Sequence, residues 1–277
     1  MAEIGNWKPI RDTHAIQMAA IGVTFSDSLS LRPWERVRGL VAPKAKQLGL
    51  DKEEAQAAIQ FTMGPGGPMP VPQQPNVPAS IDYLRMERAD FFSDRFTVNR
   101  QGLRYEEWSY TRWAALLEKA SAVMEEAFAE YTDTVMATIY VDYIDVFAAD
   151  KNIDAPDCGE VVSRSSDLIA PAAYDPSKPW HTYSGHFEAV SPEIRRLHQV
   201  NIDVSDFNIG VETTRAIQIR TLITDQFNLP FLSSLPADKQ TWTVVREQLD
   251  SLHRAANGTV KRVLTGSASN AISLRVE

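Results

Sequence analysis

Residues 135–147 read VMATIYVDYIDVF. The odd positions are Val135, Ala137, Ile139, Val141, Tyr143, Asp145 and Phe147, apolar apart from Asp145. Alternation at a period of two marks a half-buried strand, and its apolar face needs a covering layer. Two segments can supply that layer. Trp113, Leu116, Ala120, Val123, Ala127 and Tyr131 recur at three- and four-residue steps, and so do Trp242, Val245, Leu249, Leu252, Ala256, Val260 and Val263. Each spacing lays one apolar stripe along a helix. Both regions also share a plan: a strand, a short polar link, then a helix opened by tryptophan. The first runs from Phe96 through Trp113 to Tyr131, the second from Ile217 through Trp242 to Leu264.

The pattern extends outward. Residues 14–25, HAIQMAAIGVTF, read as a strand. Pro33 suits a first helical turn, and Trp34, Val37, Val41 and Leu48 follow at helical spacing. Ala57 to Met63 suggests a further strand, and segments 81–88 and 94–100 a strand pair. Gly185–Val190, Arg195–Phe207 and Arg215–Phe227 read as three strands, with a turn across Asn208–Thr214. Residues 148–180 are rich in Asp, Pro and Ser, the composition of a link. The sequence therefore predicts an α+β fold, an antiparallel sheet in two related halves, each covered by a long amphipathic helix. Residues 1–150 form the first half, 151–180 the linker and 181–277 the second. One compact domain spanning all three is the other arrangement this length allows.

Apolar residues make up 44% of the chain and charged residues 23%, ordinary values for a globular protein with a sizeable core. No stretch approaches a membrane span, and no apolar run behind a cationic start marks a signal peptide. The single cysteine, Cys158, excludes an intrachain disulfide. Together these features lead us to expect a cytoplasmic protein. A formal charge of −8 argues against broad nucleic-acid binding. Arg32, Arg36, Arg38, Lys44 and Lys46 form a local basic cluster, but they are spread round the helical wheel and lack interleaved aromatic residues.

Residues 63–78, MGPGGPMPVPQQPNVP, carry six of the chain's 16 prolines and no charge. Proline fixes φ and removes a donor, so an extended connector of polyproline II character is expected. Its apolar side chains, Met69, Val71 and Val77 among them, make it a candidate partner contact.

Candidates for chemistry are few. His186 and Glu188 share a strand face, and His198 can join them from a neighbouring strand, so these three are the first catalytic candidates. They lack a recognised zinc spacing, and neither a metal nor a cofactor is expected. His198 and His253 read as structural histidines on apolar faces. Asp145 lies on a mainly apolar strand face, where a carboxylate needs a partner or a raised pKa. Gly64, Gly66 and Gly67 lack the Lys-Ser/Thr pair of a phosphate loop.

Three segments carry a resemblance: RFTVNRQGLRYEEWSYTRWAALLEK at 95–119, YVDYIDVF at 140–147 and LDSLHRAANGTVKRVLT at 249–265. In this order they resemble a sporadically distributed prokaryotic protein family that carries only a placeholder name. Asp145 stands where that pattern has asparagine and Val260 where it has an aromatic residue, and the proline-rich insert is atypical. The resemblance implies no catalytic residues. Its patchy distribution implies a setting among mobile elements, defence systems or toxin–antitoxin pairs. The expectation is a non-catalytic subunit that binds another protein or itself. The alternatives are an enzyme or ligand sensor with a polar pocket between the halves and, more weakly, nucleic-acid binding through residues 32–46.

Overall fold

A computed structural model of the chain describes residues 4–11, 13–56, 61–64, 67–70, 78–131, 134–150, 156–174, 178–209, 212–227 and 242–274. In chain order the elements are β1 (Trp7–Pro9), β2 (Ile16–Phe25), α1 (Leu31–Gln47), β3 (Lys52–Gln56), β4 (Phe61–Gly64), β5 (Gly67–Pro70), β6 (Ser80–Arg88), β7 (Phe91–Asn99) and β8 (Gly102–Glu107). Then come α2 (Trp113–Ala129), β9 (Met136–Ala149), β10 (Trp180–Ala189), β11 (Ile194–Ile209), β12 (Glu212–Phe227), α3 (Trp242–Val263) and α4 (Gly266–Ala271).

The expected two halves do not exist. One open antiparallel sheet of ten strands runs through the molecule in the order β10-β11-β12-β9-β2-β8-β7-β6-β3, with β1 also paired to β9. The stretch at 135–147 explains why. It forms β9, which pairs with β2 on one side and β12 on the other. The N-terminal and C-terminal strands are thereby joined into a single ladder. The helices do not cover separate sheets either. Leu116 and Val123 of α2, Leu249 and Leu252 of α3, and Trp34 and Val37 of α1 are all buried in one core with the odd positions of β2 and β9. Three helices thus lie on the same face of one sheet. The helical stripes were readable, but the sheet they would share was not. Pairing of β9 with β2 and β12 joins residues far apart in sequence, which local pattern does not report.

Other expectations change at their edges. Trp113 is half-buried, whereas Leu117, Trp242, Leu249 and Leu252 are buried. The α3 helix is continuous through Gly258. Part of the proline-rich stretch is a small hairpin, with Thr62 opposite Met69 and Gly64 opposite Gly67. Val71 and Val77 lie outside the described residues, as does the side chain of Met69. Segment 156–174 lies in the expected linker but is packed: Cys158, Val161 and Val162 are buried in a second core with Phe147, Ile202 and Ile217. Burial also raises the Cys158 thiol pKa. Among the described residues no helix is long and apolar enough to cross a membrane.

Candidate functional site

Three places on this frame concentrate polar chemistry. The first holds the residues singled out in the sequence. Cross-strand pairing sets His186 opposite His198, and their rings stack with centroids 4.6 Å apart. His198 Nε2 lies 3.0 Å from Glu188 Oε2, and Nδ1 lies 3.0 Å from Thr259 Oγ1 on α3. The three candidates therefore meet, but as a stack tied to a helix. Burial lowers the His198 pKa, against the opposing pull of Glu188. Among the described residues no group of three or more His, Cys, Asp or Glu side chains is placed to hold a metal ion.

The second place lies beneath α3, where the segments 95–119, 140–147 and 249–265 converge. Trp113 stacks on His253 at 4.5 Å and donates from Nε1 to Asp250 Oδ1 at 2.5 Å. His253 Nδ1 lies 2.8 Å from the Tyr143 hydroxyl, and Asn257 Nδ2 lies 3.2 Å from His253 Nε2. If the amide donates to Nε2, the proton sits on Nδ1 and is shared with Tyr143. Desolvation lowers the His253 pKa to about 4, so the ring is neutral at pH 7. Asp145 lies next to this group, 3% exposed. Burial raises its pKa to about 7. His14, Tyr143, Asp145 and Asn257 line a cavity of about 60 Å³. That space suits a few waters and falls far short of the several hundred Å³ of an ordinary substrate pocket.

The third place is the sheet's other face, over which no described helix lies. It was missed in sequence because its charges alternate along strands with core residues and read singly as surface. In the structure they line up across strands. Arg220 clamps Asp142 through Nε at 2.9 Å and Nη2 at 2.8 Å. Arg104 reaches the same carboxylate at 3.2 Å and Glu106 at 3.1 Å. Arg95 donates to Glu106 at 2.7 Å, and Trp108 Nε1 does so at 3.0 Å. The result is a ladder, Arg95–Glu106–Arg104–Asp142–Arg220, crossing β7, β8, β9 and β12. Burial would raise the Glu106 carboxyl, but hydrogen bonds from Arg95 and Trp108 and the charge of Arg104 bring its pKa below the ordinary value.

Backbone geometry supports the ladder. Gly22 of β2 lies between Tyr140 and Arg104 in the cross-strand register. A Cβ there would stand 2.2 Å from the Tyr140 ring. The missing side chain lets that ring lie across β2, with the Arg104 guanidinium 5.8 Å from its centre. Two depressions flank the Arg104–Asp142–Arg220 bridge. One, about 370 Å³, is lined by Thr24, Thr97, Asn99, Gln101, Arg104 and Tyr140. The other, about 120 Å³, is lined by Tyr183, Gln199, Asn201, Arg220 and Leu222.

The basic cluster of α1 is partly engaged elsewhere. Arg36 pairs with Glu130 at 2.7 Å and Lys44 with Glu126 at 3.0 Å. Neither a scan against protein-family models nor a search among curated proteins returns a match for this chain.

Proposed function

We propose that this protein is a non-catalytic binding subunit, and that the sheet face opposite its described helices takes an acidic segment of a partner protein. The ladder carries this reading. Asp142 and Glu106 are almost wholly buried, whereas the side chains of Arg220, Arg95 and Arg104 are 49%, 34% and 26% exposed. Three guanidiniums share two carboxylates, so the ladder carries a net positive charge within an acidic chain. Arginines already oriented by buried acids lose little freedom on binding, and their forked donors match carboxylates. The 370 Å³ depression beside them adds hydroxyl and amide partners at a size suited to ligand side chains. The cavity of about 60 Å³ near Asp145 has room for a few waters only. A mobile-element, defence or toxin–antitoxin system is the setting that the family resemblance implies, and the composition favours a cytoplasmic one.

The test uses the full chain and three defined probes: a short glutamate-rich peptide, its glutamine counterpart and a single-stranded oligonucleotide of equal length. Fluorescence anisotropy should show salt-sensitive binding of the acidic peptide only. Arg104→Gln with Arg220→Gln should weaken it by roughly tenfold or more. Equal binding of the glutamine peptide, or preference for the oligonucleotide, would overturn the proposal.

A further inference from the structure

The two edges of the sheet are built differently. At one end β3 is five residues long and fully exposed, and it bears Lys52, Glu53 and Glu54. Short length and charge are the usual guards against strand addition. At the other end β10 runs ten residues without a bulge in its pairing to β11. It contains no proline and no lysine. Among the described residues, three of the five exposed large hydrophobic side chains, Tyr183, Phe187 and Val190, belong to this strand and its turn.

The aromatic pair is held in place. Arg195 lies over the Phe187 ring at 4.3 Å, and Gln199 donates to the Tyr183 hydroxyl. The Val190 N–H bonds to the Ile194 carbonyl, which fixes the alternation along β10. It directs the N–H and C=O groups of Tyr183, Gly185 and Phe187 away from β11. No described strand lies beyond them.

We propose that β10 pairs antiparallel with β10 of a second copy of this chain, about a two-fold axis at Gly185. The sequence of the strand, WHTYSGHFEA, selects this occupant and register. With Gly185 facing its counterpart, Tyr183 stands opposite Phe187 of the second copy, and this happens twice by symmetry. On the other face Ser184 meets His186 and Thr182 meets Glu188. No like charges oppose each other, and the strand is complementary to itself. A shift of two residues in either direction separates the aromatic side chains. Aromatic cross-strand pairs are among the more stabilising, and a two-fold closes the assembly at two chains. The pairing would merge two sheets into one and double the arginine-bearing face.

Light scattering on the full chain should give a concentration-dependent mass of twice 30.9 kDa. Tyr183→Lys with Phe187→Lys sets like charges opposite each other and should yield a monomer that keeps the far-UV circular dichroism and cooperative unfolding of the wild type, since both side chains are exposed. Tyr183→Glu with Phe187→Lys sets opposite charges across the axis in this register and should restore the dimer. A monomeric wild type, a dimer that survives the double lysine variant, or a Glu/Lys variant that stays monomeric would each overturn the proposal.

Discussion

Asp142 and Asp145 lie three residues apart on β9 and face opposite sides of the sheet. Asp142 is 0% exposed and Asp145 3% exposed, so burial alone does not distinguish them. Their surroundings do. Asp142 accepts from two arginines whose outer atoms reach water. Asp145 looks into the helix-covered side, beside Tyr143 and a small cavity, where desolvation raises its pKa to about 7. The lesson is that one strand sets a buried acid between half-hydrated arginines on its open side and suppresses ionisation of another by desolvation on its helix-covered side. His253 belongs to the suppressed side, with its pKa lowered to about 4.

This contrast can be broken at several points. The largest effect should come from the covered face itself. Leu249 is fully buried, and Leu249→Ala should cost on the order of 2–5 kcal/mol in urea unfolding. A near-neutral result would mean that α3 does not pack on the sheet. Next comes Asp142→Asn. It leaves Arg104 and Arg220 facing a neutral amide, and we expect a loss of roughly 3 kcal/mol. If the variant were as stable as wild type, the arginines would need no buried acid to hold them.

Asp145→Asn should act with the opposite sign. The folded carboxyl has a pKa of about 7 against an ordinary 3.8, so the folded state holds its proton more tightly. Its contribution is fully favourable below the ordinary value and is lost as pH rises through the folded one. The substitution should therefore stabilise by about 2 kcal/mol at pH 8, with the gain fading toward pH 4. His253 slopes the other way. Its folded pKa lies below the ordinary 6.5, so protonation weakens the fold as pH falls from there toward 4. With Asp145 removed, that acid sensitivity should appear uncompensated in melts recorded across this range. A gain that is equal at pH 4 and pH 8 would disprove the titration account. The smallest effect is at Gly22→Ala. The new methyl displaces the Tyr140 ring, which can swing outward, at about 1 kcal/mol. Acidic-peptide binding should fall further than stability does, and an unchanged affinity would remove Tyr140 and Arg104 from the binding face.

Much of the secondary structure is legible in the sequence. The alternation at 135–147, the stripes behind Trp113 and Trp242, and the strands at 195–207 and 215–227 are all present near their expected limits. Asp145 stood out because an acid on an apolar face breaks a local pattern. The ladder did not, because Arg95, Arg104, Glu106, Asp142 and Arg220 each look like an ordinary surface charge. Their meaning depends on which strand lies beside which. His186, Glu188 and His198 lie together, and a shared face for the first two follows from strand period, but the ring stacking and the Thr259 contact depend on strand pairing and on the packed helix.

The sequence by itself determined the elements, the apolar stripes and the anomaly of an acid at position 145. These follow from periods of two and 3.6 residues, which the chain carries locally. Only the tertiary structure decided that ten strands join in one sheet with the described helices on a single face, and that five charges meet in a row on the other. Strand order joins residues separated by dozens of positions, and that choice is made by the packing of the whole core, not by any one segment.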